Sequence, residues 1–366
     1  MQLRAYDPPK RLDTPPTVLS LTSNGRRSLV PMSSLTPLGM PALPPPTFAP
    51  TWKSAWDQAL YGADGFFRRH SPVDHFRTSV HASPLFAQAV VRLVRKAGLD
   101  TVVDIGAGRG ELLRAVHEVA PDLELLGVEV APRPDDLPAG VAWTSALPES
   151  VDGLVVANEW LDNIPCHVVE VAPTGRVHVV HVDPVTGEES LGQPIDHSTV
   201  PETLQRWCER WWPLTATEPG TRAEVGTTRD GAWADVVARL GRGLAVAVDY
   251  GHTAQDRPPF GSLRSYREGA ETEVLPDGSR DVTAHVAVDA VAAAVGGSVR
   301  TQRQALGALG VSGERPDLSR ATSDPAGYVR GLASATEAAE LTAVGGLGSF
   351  CWVITCAGGV DAAVLG

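Results

Sequence analysis

The chain has 366 residues, of which 43% are hydrophobic and 20% charged, so it can form one large α/β domain with insertions or two domains. Its net charge of −12 argues against a general nucleic-acid binder, and its four cysteines include no Cys-x-x-Cys pair, so no metal or redox site is predicted. No apolar run reaches the ~20 residues of a membrane span and no signal-peptide pattern opens the chain, so we expect a cytoplasmic protein without a membrane partner.

The first hundred residues divide into two parts. Residues 1–50 contain 11 of the 30 prolines and little hydrophobic periodicity, which predicts a disordered, proline-rich N-terminal extension. Residues 51–100 are predicted to form a helical region. Its first helix is expected at Thr51–Leu60, where apolar residues recur at helical spacing. A second helix opens at Ser83, an N-cap residue followed by proline in the first turn.

A glycine-rich loop follows the first predicted strand. The strand, Thr101–Ile105, is a short β-branched run that is typical of a buried strand, and a helical pattern begins directly after the loop. The residues of interest are Asp104, Gly106, Gly108 and Gly110. Glycines let the chain turn sharply and let a ligand approach the bare backbone. The N-terminus of the next helix presents free N–H groups to that ligand.

The spacing of the glycines distinguishes two cofactors. Dinucleotide enzymes place the third glycine three residues after the second, whereas here it comes two residues later and Glu111 fills the glycine position. A carboxylate there would repel a pyrophosphate. An acid at the strand end instead suits the ammonium group of S-adenosylmethionine. The loop therefore favours a class I methyltransferase over an NAD-dependent dehydrogenase.

The second predicted strand, Leu125–Val130, contains Glu129, which follows the glycines by roughly twenty residues. An acid at this position binds the two hydroxyls of a ribose. It serves an adenosyl ribose and an NAD ribose equally, so it does not separate the two cofactors. The structural alternative is that Glu129 only occupies a solvated strand end.

The fourth predicted strand, Asp152–Ala157, leads into Asn158 and Glu159, with Asp162 following three residues later. In open α/β sheets ligands bind beyond the carboxyl ends of the strands. If this stretch forms a helical turn, Glu159 and Asp162 share a face. Two carboxylates beside a cationic methyl donor could then orient a guanidinium or an amine. The alternative is an exposed acidic turn.

An insertion is predicted at about 166–228. It opens with a hairpin signature at His167–Val182 and continues into a tryptophan-rich helix at Pro201–Trp212. The tryptophans could stack on a substrate, but packing is the commoner role for such a stripe.

Seven strands are predicted in alternation with helices. Besides the three strands named above, they are Val141–Thr144, Leu244–Tyr250, Val299–Ala305 and Ser349–Ala357. This alternation predicts an α/β fold of the class I methyltransferase type, which is Rossmann-like, with a seven-stranded sheet and helices on both faces. The predicted methyltransferase domain spans 101–357 and is followed by a C-terminal tail, 358–366.

Five short motifs occur in a fixed order along the chain: DIGAGRG, VANEWLDNIP, AVDYGH, GSLRSYR and DVTAH. In this order they resemble the MidA-like class I methyltransferases, relatives of the mitochondrial complex I assembly protein-arginine methyltransferase. The stretch Phe76–Phe86, FRTSVHASPLF, is similar to a further segment of that family. The resemblance covers roughly Trp52 to Ala357.

The resemblance implies a fold that binds S-adenosylmethionine and assigns roles to the motif residues. The residues that it places on the methionine part of the cofactor are Asp104, Gly106, Gly108 and Gly110, and it places Glu129 on the ribose. Asn158 and Glu159 stand at the transfer edge with Asp162 nearby. In such folds the region 51–100 forms a lid or wall over the cofactor. Residues that either face the site or stabilise this region are Arg77, Thr78, Ser79 and His81.

The leading functional hypothesis is methyl transfer from S-adenosylmethionine to an arginine of a protein. Glu159 and Asp162 would hold the guanidinium, and His252 and His285 are both candidates for the base. The mitochondrial relative acts on a respiratory-complex subunit, which makes such a subunit one candidate partner. The alternative is a non-catalytic assembly factor that retains the methyltransferase fold. The oligomeric state is not predicted.

Overall fold

The computed structural model describes residues 49–69, 83–214 and 218–365. The predicted N-terminal extension lies outside these residues except for its last two positions. The loop residues Arg77, Thr78, Ser79 and His81, and with them most of the FRTSVHASPLF stretch, also lie outside.

A seven-stranded sheet forms the centre of the described structure and confirms the predicted α/β class. In spatial order its strands are β15 (Ser298–Thr301), β16 (Cys351–Ala357), β9 (Leu240–Asp249), β4 (Val151–Asn158), β1 (Thr101–Ile105), β2 (Glu124–Val128) and β3 (Val141–Thr144). Within this sheet β16 runs antiparallel to both of its neighbours, and all the other neighbouring pairs are parallel. The carboxyl ends of β1, β2, β4 and β9 therefore meet at one edge.

Helices cover both faces of this sheet. One face carries α3 (Pro84–Lys96), α4 (Glu111–Val119), α8 (Gln302–Ala308) and α10 (Pro325–Leu341), and the other carries α6 (Thr227–Val237) and α7 (Val288–Ala294). Successive side chains of β1 explain the two layers, because Val102 packs in the first core and Val103 in the second. Among the described helices none is long and apolar enough to cross a membrane.

The stretch predicted as an insertion forms a separate four-stranded antiparallel sheet. Its strands, in spatial order, are β7 (Glu189–Pro194), β6 (Val177–Val182), β5 (His167–Val171) and β8 (Arg222–Val225), and α5 (Glu202–Trp211) belongs to the same core. Trp207 and Trp212 are buried in this core, so packing is the role that the structure supports for them.

The remaining elements are short. They are β10 (Gly251–His252), which pairs with β14 (Val286–Ala287); β11 (Arg264–Arg267), which pairs with β12 (Ala270–Thr272) and β13 (Asp281–Thr283); α9 (Arg320–Ser323); and two 3₁₀ turns, Leu347–Ser349 and Ala362–Leu365.

Two helices precede α3 in the described structure, α1 (Trp52–Tyr61) and α2 (Phe66–Arg69). Trp56 is fully buried, and its Nε1 donates a hydrogen bond to the main-chain oxygen of Val282 at 2.9 Å. Trp52 and Phe66 are buried in the same cluster. Through these contacts α1 packs against both β13 and the four-stranded sheet of the insertion.

The prediction of a strand over Val299–Ala305 is correct for Val299–Thr301 and wrong for the rest. The strand ends at Thr301, and Gln302 begins α8. Thr301 Oγ1 accepts from the main-chain N–H of Gln304 at 3.2 Å, and Gln304 Oε1 accepts from the main-chain N–H of Thr301 at 2.9 Å. This capping box starts a helix at a point where the predicted strand was expected to continue.

Candidate functional site

The glycine loop makes its turn with three residues in left-handed backbone conformation. Gly106, Gly108 and Gly110 have φ values of 69°, 57° and 76°. The main-chain N–H of Gly106 donates to the oxygen of Val128 at 2.9 Å, which ties the loop to β2. A Cβ atom on Gly106 would lie 2.6 Å from Cδ1 of Trp160, so a side chain here would force the loop or the Trp160 ring to move.

Asp104 lies at the carboxyl end of β1, beneath this loop. Its side chain is buried, and burial raises its pKa well above the usual range, with a further contribution from Glu111. Asp104 is not among the residues that line the cavity described below. Its contact with the methionine part of the cofactor therefore stays a prediction.

Glu129, which directly follows β2, stabilises the glycine loop through a hydrogen bond. Its Oε2 accepts from the main-chain N–H of Gly108 at 3.0 Å, while Oε1 accepts from those of Val130 at 2.6 Å and Ala131 at 3.2 Å. A carboxylate has about four lone-pair positions, so one acceptor position remains for a ligand. Burial raises the pKa of Glu129, and these three N–H groups oppose the rise. The bond to Gly108 is a role that the sequence pattern did not predict.

We expect Glu129→Gln to weaken binding of S-adenosylmethionine by about tenfold or more, as measured by isothermal titration. An amide presents an NH₂ group to at least one of the main-chain N–H groups that now donate to the carboxylate, so at least one of these hydrogen bonds is lost. Glu124→Gln, at the exposed start of the same strand, is the matched control. Equal affinity of the two variants for S-adenosylmethionine would contradict the proposal that Glu129 stabilises the glycine loop.

A cavity lies beside the glycine loop at the carboxyl edge of the sheet. Its apolar lining includes Ile105, Val128, Val130 and Leu147; its aromatic lining is Tyr61, Phe67 and Trp160; and its polar lining includes Glu129, Ser145, Glu159 and Asn163. The two carboxylates and the apolar surface suit a ligand that combines a diol, a flat base and a cationic group. The residues present therefore fit S-adenosylmethionine.

The chain reverses direction at Glu159. This residue has φ of +53°, a conformation that costs a non-glycine residue about 1–3 kcal/mol. Its main-chain N–H donates to the oxygen of Val248 at 2.8 Å, which holds the reversal against β9. Asn158 Nδ2 donates to Glu159 Oε1 at 3.1 Å, and Asn158 Oδ1 is buried without a hydrogen-bond partner in the described structure. Strain and an unpartnered polar atom thus coincide beside the cavity.

Asp162 occupies a different environment from Glu159. Its side chain is buried, and its Oδ2 accepts from Thr283 Oγ1 at 2.7 Å and from the hydroxyl of Tyr250. It does not line the cavity. The structure thus brings Asn158 and Glu159 together and holds Asp162 in a separate network, and its catalytic role stays a prediction.

That network fixes the loop after β4. Asp249 Oδ2 accepts from the main-chain N–H groups of Leu161 at 3.0 Å and Asp162 at 3.2 Å. Arg229, fully buried, donates to the main-chain oxygens of Ile164, His285 and Asp162 at 3.1, 2.8 and 2.6 Å. Burial and the neighbouring Asp162 raise the pKa of Asp249. Sequence reasoning missed Arg229, because an arginine in the first turn of a helix looks solvent-exposed.

Known proteins that are similar to this chain point to a methyltransferase family. The model of an S-adenosyl-L-methionine-dependent methyltransferase family matches residues 85–305, more than half of the chain. A COG1565 superfamily member from Burkholderia thailandensis, crystallised with S-adenosyl-homocysteine, is 23% identical, with a TM-score of 0.67 over 86% of this chain and 89% of that chain. A native structure of a COG1565 superfamily protein from the same organism is 23% identical, with a TM-score of 0.68 over 87% and 90%. At this identity the likeness shows the fold alone. No curated protein matches the sequence.

Proposed function

Because the chain belongs to the S-adenosyl-L-methionine-dependent methyltransferase family, we propose that it methylates an arginine side chain of a protein. The observation that carries this proposal is the pair Asn158 and Glu159. The Glu159 carboxylate lines the cavity, and the amide oxygen of Asn158 beside it is buried without a partner in the described structure. A guanidinium group has five N–H donors and no acceptor, so it complements the Glu159 carboxylate, which Asn158, itself not among the lining residues, holds through Nδ2.

The cofactor is S-adenosylmethionine, which supplies a methyl group on a positively charged sulfur when bound. Glu129 holds a ribose hydroxyl with its remaining acceptor position, and Gly106 and Gly108 leave the backbone open to close approach. Tyr61, Phe67 and Trp160 exclude water from the cavity that they line.

The remaining contribution of the protein is orientation. Methyl transfer is an in-line displacement, so holding the attacking nitrogen at the correct distance and angle lowers the barrier. Glu159 accepts hydrogen bonds from the guanidinium and thereby localises a lone pair on the attacking nitrogen. A respiratory-complex subunit is the candidate substrate that the MidA-like resemblance suggests.

We expect Glu159→Gln to lower methyl transfer by about 100-fold or more, because the amide loses the charge that holds the guanidinium. Affinity for S-adenosylmethionine should stay within about threefold of the wild type, a difference under 1 kcal/mol. The assay uses methyl-labelled cofactor and a total cell extract as acceptor, followed by acid hydrolysis and chromatographic identification of methylarginine.

The matched control is Glu118→Gln, which removes an exposed carboxylate on α4. It should transfer methyl groups at the wild-type rate. Full activity of Glu159→Gln, or label recovered on residues other than arginine, would refute the proposed function.

A further inference from the structure

Methylation of arginine releases one proton, so the proposed function requires a group that accepts it. Arginine is protonated at neutral pH, and its methylated product carries the same charge. His252 and His285 are both near the carboxyl edge of the sheet, and the sequence does not choose between them. Their surroundings differ, and the choice between them, which rests on the proposed function, follows from that difference.

His252 is committed to a structural role. It is buried, and its Nδ1 lies 2.6 Å from Nη1 of Arg257. A guanidinium only donates, so Nδ1 must accept and the ring proton sits on Nε2. Protonation of Nδ1 as well would place a positively charged imidazolium next to the Arg257 guanidinium in a buried site, which is unfavourable. Burial and Arg257 accordingly lower the pKa of His252 to about 3, so it cannot serve as a base near neutral pH.

His285 has the opposite surroundings. It is solvent-exposed, and neither ring nitrogen makes a hydrogen bond within the described structure. Its main chain is nevertheless fixed on both sides. The N–H donates to Ser262 Oγ at 3.0 Å, and the carbonyl oxygen accepts from Arg229 Nη1 at 2.8 Å. A ring on a fixed backbone, with free nitrogens and access to water, meets the requirements of a proton acceptor.

Tyr250 positions the His285 ring. The two rings meet edge to face, with centroids 5.1 Å apart and an interplanar angle of 76°. On its other side Tyr250 contacts Phe350 at 5.5 Å, and its hydroxyl is bonded to the carboxylate of Asp162. Tyr250 is therefore held at three points, and it limits where the His285 ring can lie.

This pair lies at the same sheet edge as Glu159. Tyr250 directly follows the last residue of β9, in which Val248 pairs with Asn158. The main-chain N–H of Glu159 is bonded to the oxygen of that same Val248. Tyr250 and Glu159 thus extend from adjacent strands at their carboxyl ends, which is where ligands bind in such sheets; of the two, Glu159 lines the cavity described above, and Tyr250 and His285 lie outside its lining.

We propose that His285 is the catalytic base and that Tyr250 is its positioning residue. In the transfer step the lone pair of the arginine Nη forms the new N–C bond, and the electron pair of the broken S–C bond stays on sulfur. The proton of Nη passes to a ring nitrogen of His285. It then passes to solvent, because the ring is exposed.

Charged groups on several elements face this ring. They are Arg264 on β11, Arg229 on α6 and Asp162 after β4, together with the neighbouring rings of Tyr250 and His252. Partial desolvation of the exposed ring by the surrounding protein and then Arg264 lower the pKa of His285, while Asp162 opposes them. The neutral ring, which can accept a proton, therefore prevails at neutral pH. Activity should fall as the pH drops through this pKa, because the protonated ring cannot accept.

The test is His285→Gln, assayed for methylarginine formation on extract proteins between pH 5 and 9. We expect the rate to fall by about 100-fold or more and the low-pH ionisation to vanish from the profile. Tyr250→Phe keeps the ring but loses the bond to Asp162, so the inflection should remain and shift. The control His197→Gln removes an exposed histidine that bonds only locally, to Thr199, and should match the wild type.

A second measurement does not depend on activity. The ring protons of His285 are followed by NMR against pH in the cofactor-free protein, with the signal assigned by its loss in His285→Gln. We expect a pKa below the ordinary value of a histidine side chain, and an altered value in Tyr250→Phe. Wild-type rate and pH profile in His285→Gln, with arginine still the methylated residue, would overturn the inference alone. Absence of methylarginine from the wild-type reaction would overturn the proposed function and the inference together.

Discussion

Replacing Gly106 by valine is expected to abolish binding of S-adenosylmethionine while the protein remains folded. The φ of +69° disfavours any side chain, and a Cβ atom would lie 2.6 Å from Cδ1 of Trp160. Either the loop or the Trp160 ring must move, and both line the cofactor cavity. We expect affinity to fall by at least about 100-fold, or roughly 3 kcal/mol, in isothermal titration.

Gly175→Val is the matched control. Gly175 has a similar φ of +78° in the turn between β5 and β6, but a Cβ atom there has no neighbour within 4 Å. Both variants carry a backbone strain of about 1–2 kcal/mol, which thermal unfolding will report. Only Gly106→Val should lose the cofactor. Retained affinity in that variant would show that the ligand does not approach this loop.

Arg229→Met should lower the free energy of unfolding by about 3–5 kcal/mol, measured by chemical denaturation. The guanidinium is fully buried and donates to three main-chain oxygens in the loop after β4 and at His285. Methionine fills much of the same volume but leaves those oxygens without donors. It also removes the positive charge that lowers the pKa of the buried carboxyls of Asp162 and Asp249.

Two further variants separate charge from geometry. Arg229→Lys keeps the charge but loses the planar fork, so it should recover only part of the stability. Arg206→Met removes an exposed arginine that pairs with Glu202 at 3.8 Å, and it should cost less than about 0.5 kcal/mol. A small effect of Arg229→Met, similar to that of Arg206→Met, would mean that water replaces the buried guanidinium.

The central sheet was predictable because its inner strands are buried on both faces. Strands β1 and β4 read as continuous apolar runs, and their ends carry the glycine loop and the Asn158–Glu159 pair. The strand prediction failed at Val299–Ala305, a mostly polar stretch in which the reciprocal bonds of Thr301 and Gln304 start a helix. The Thr301-x-x-Gln304 spacing is itself the sequence signature of a capping box, so this helix start was a local signal that the strand prediction overlooked.

The position of Asp162 could not be predicted from spacing. A separation of three residues places Glu159 and Asp162 on one face only if the stretch is helical, but the chain reverses at Glu159 and continues in turns. The groups that hold Asp162, Tyr250 and Thr283, lie 88 and 121 residues further along the chain. Contacts of that range leave no signal in a single sequence.

The bond from Trp56 to Val282 has a consequence for how the protein is made. It joins residues 226 positions apart, so the part of the α1 docking surface that β13 supplies is absent until the ribosome has synthesised β13, although the insertion sheet is made earlier. Tyr61, at the end of α1, forms part of the cofactor cavity. A nascent chain therefore builds the glycine loop early but closes the cavity late. Cofactor binding should consequently mark the completed polypeptide rather than any N-terminal fragment.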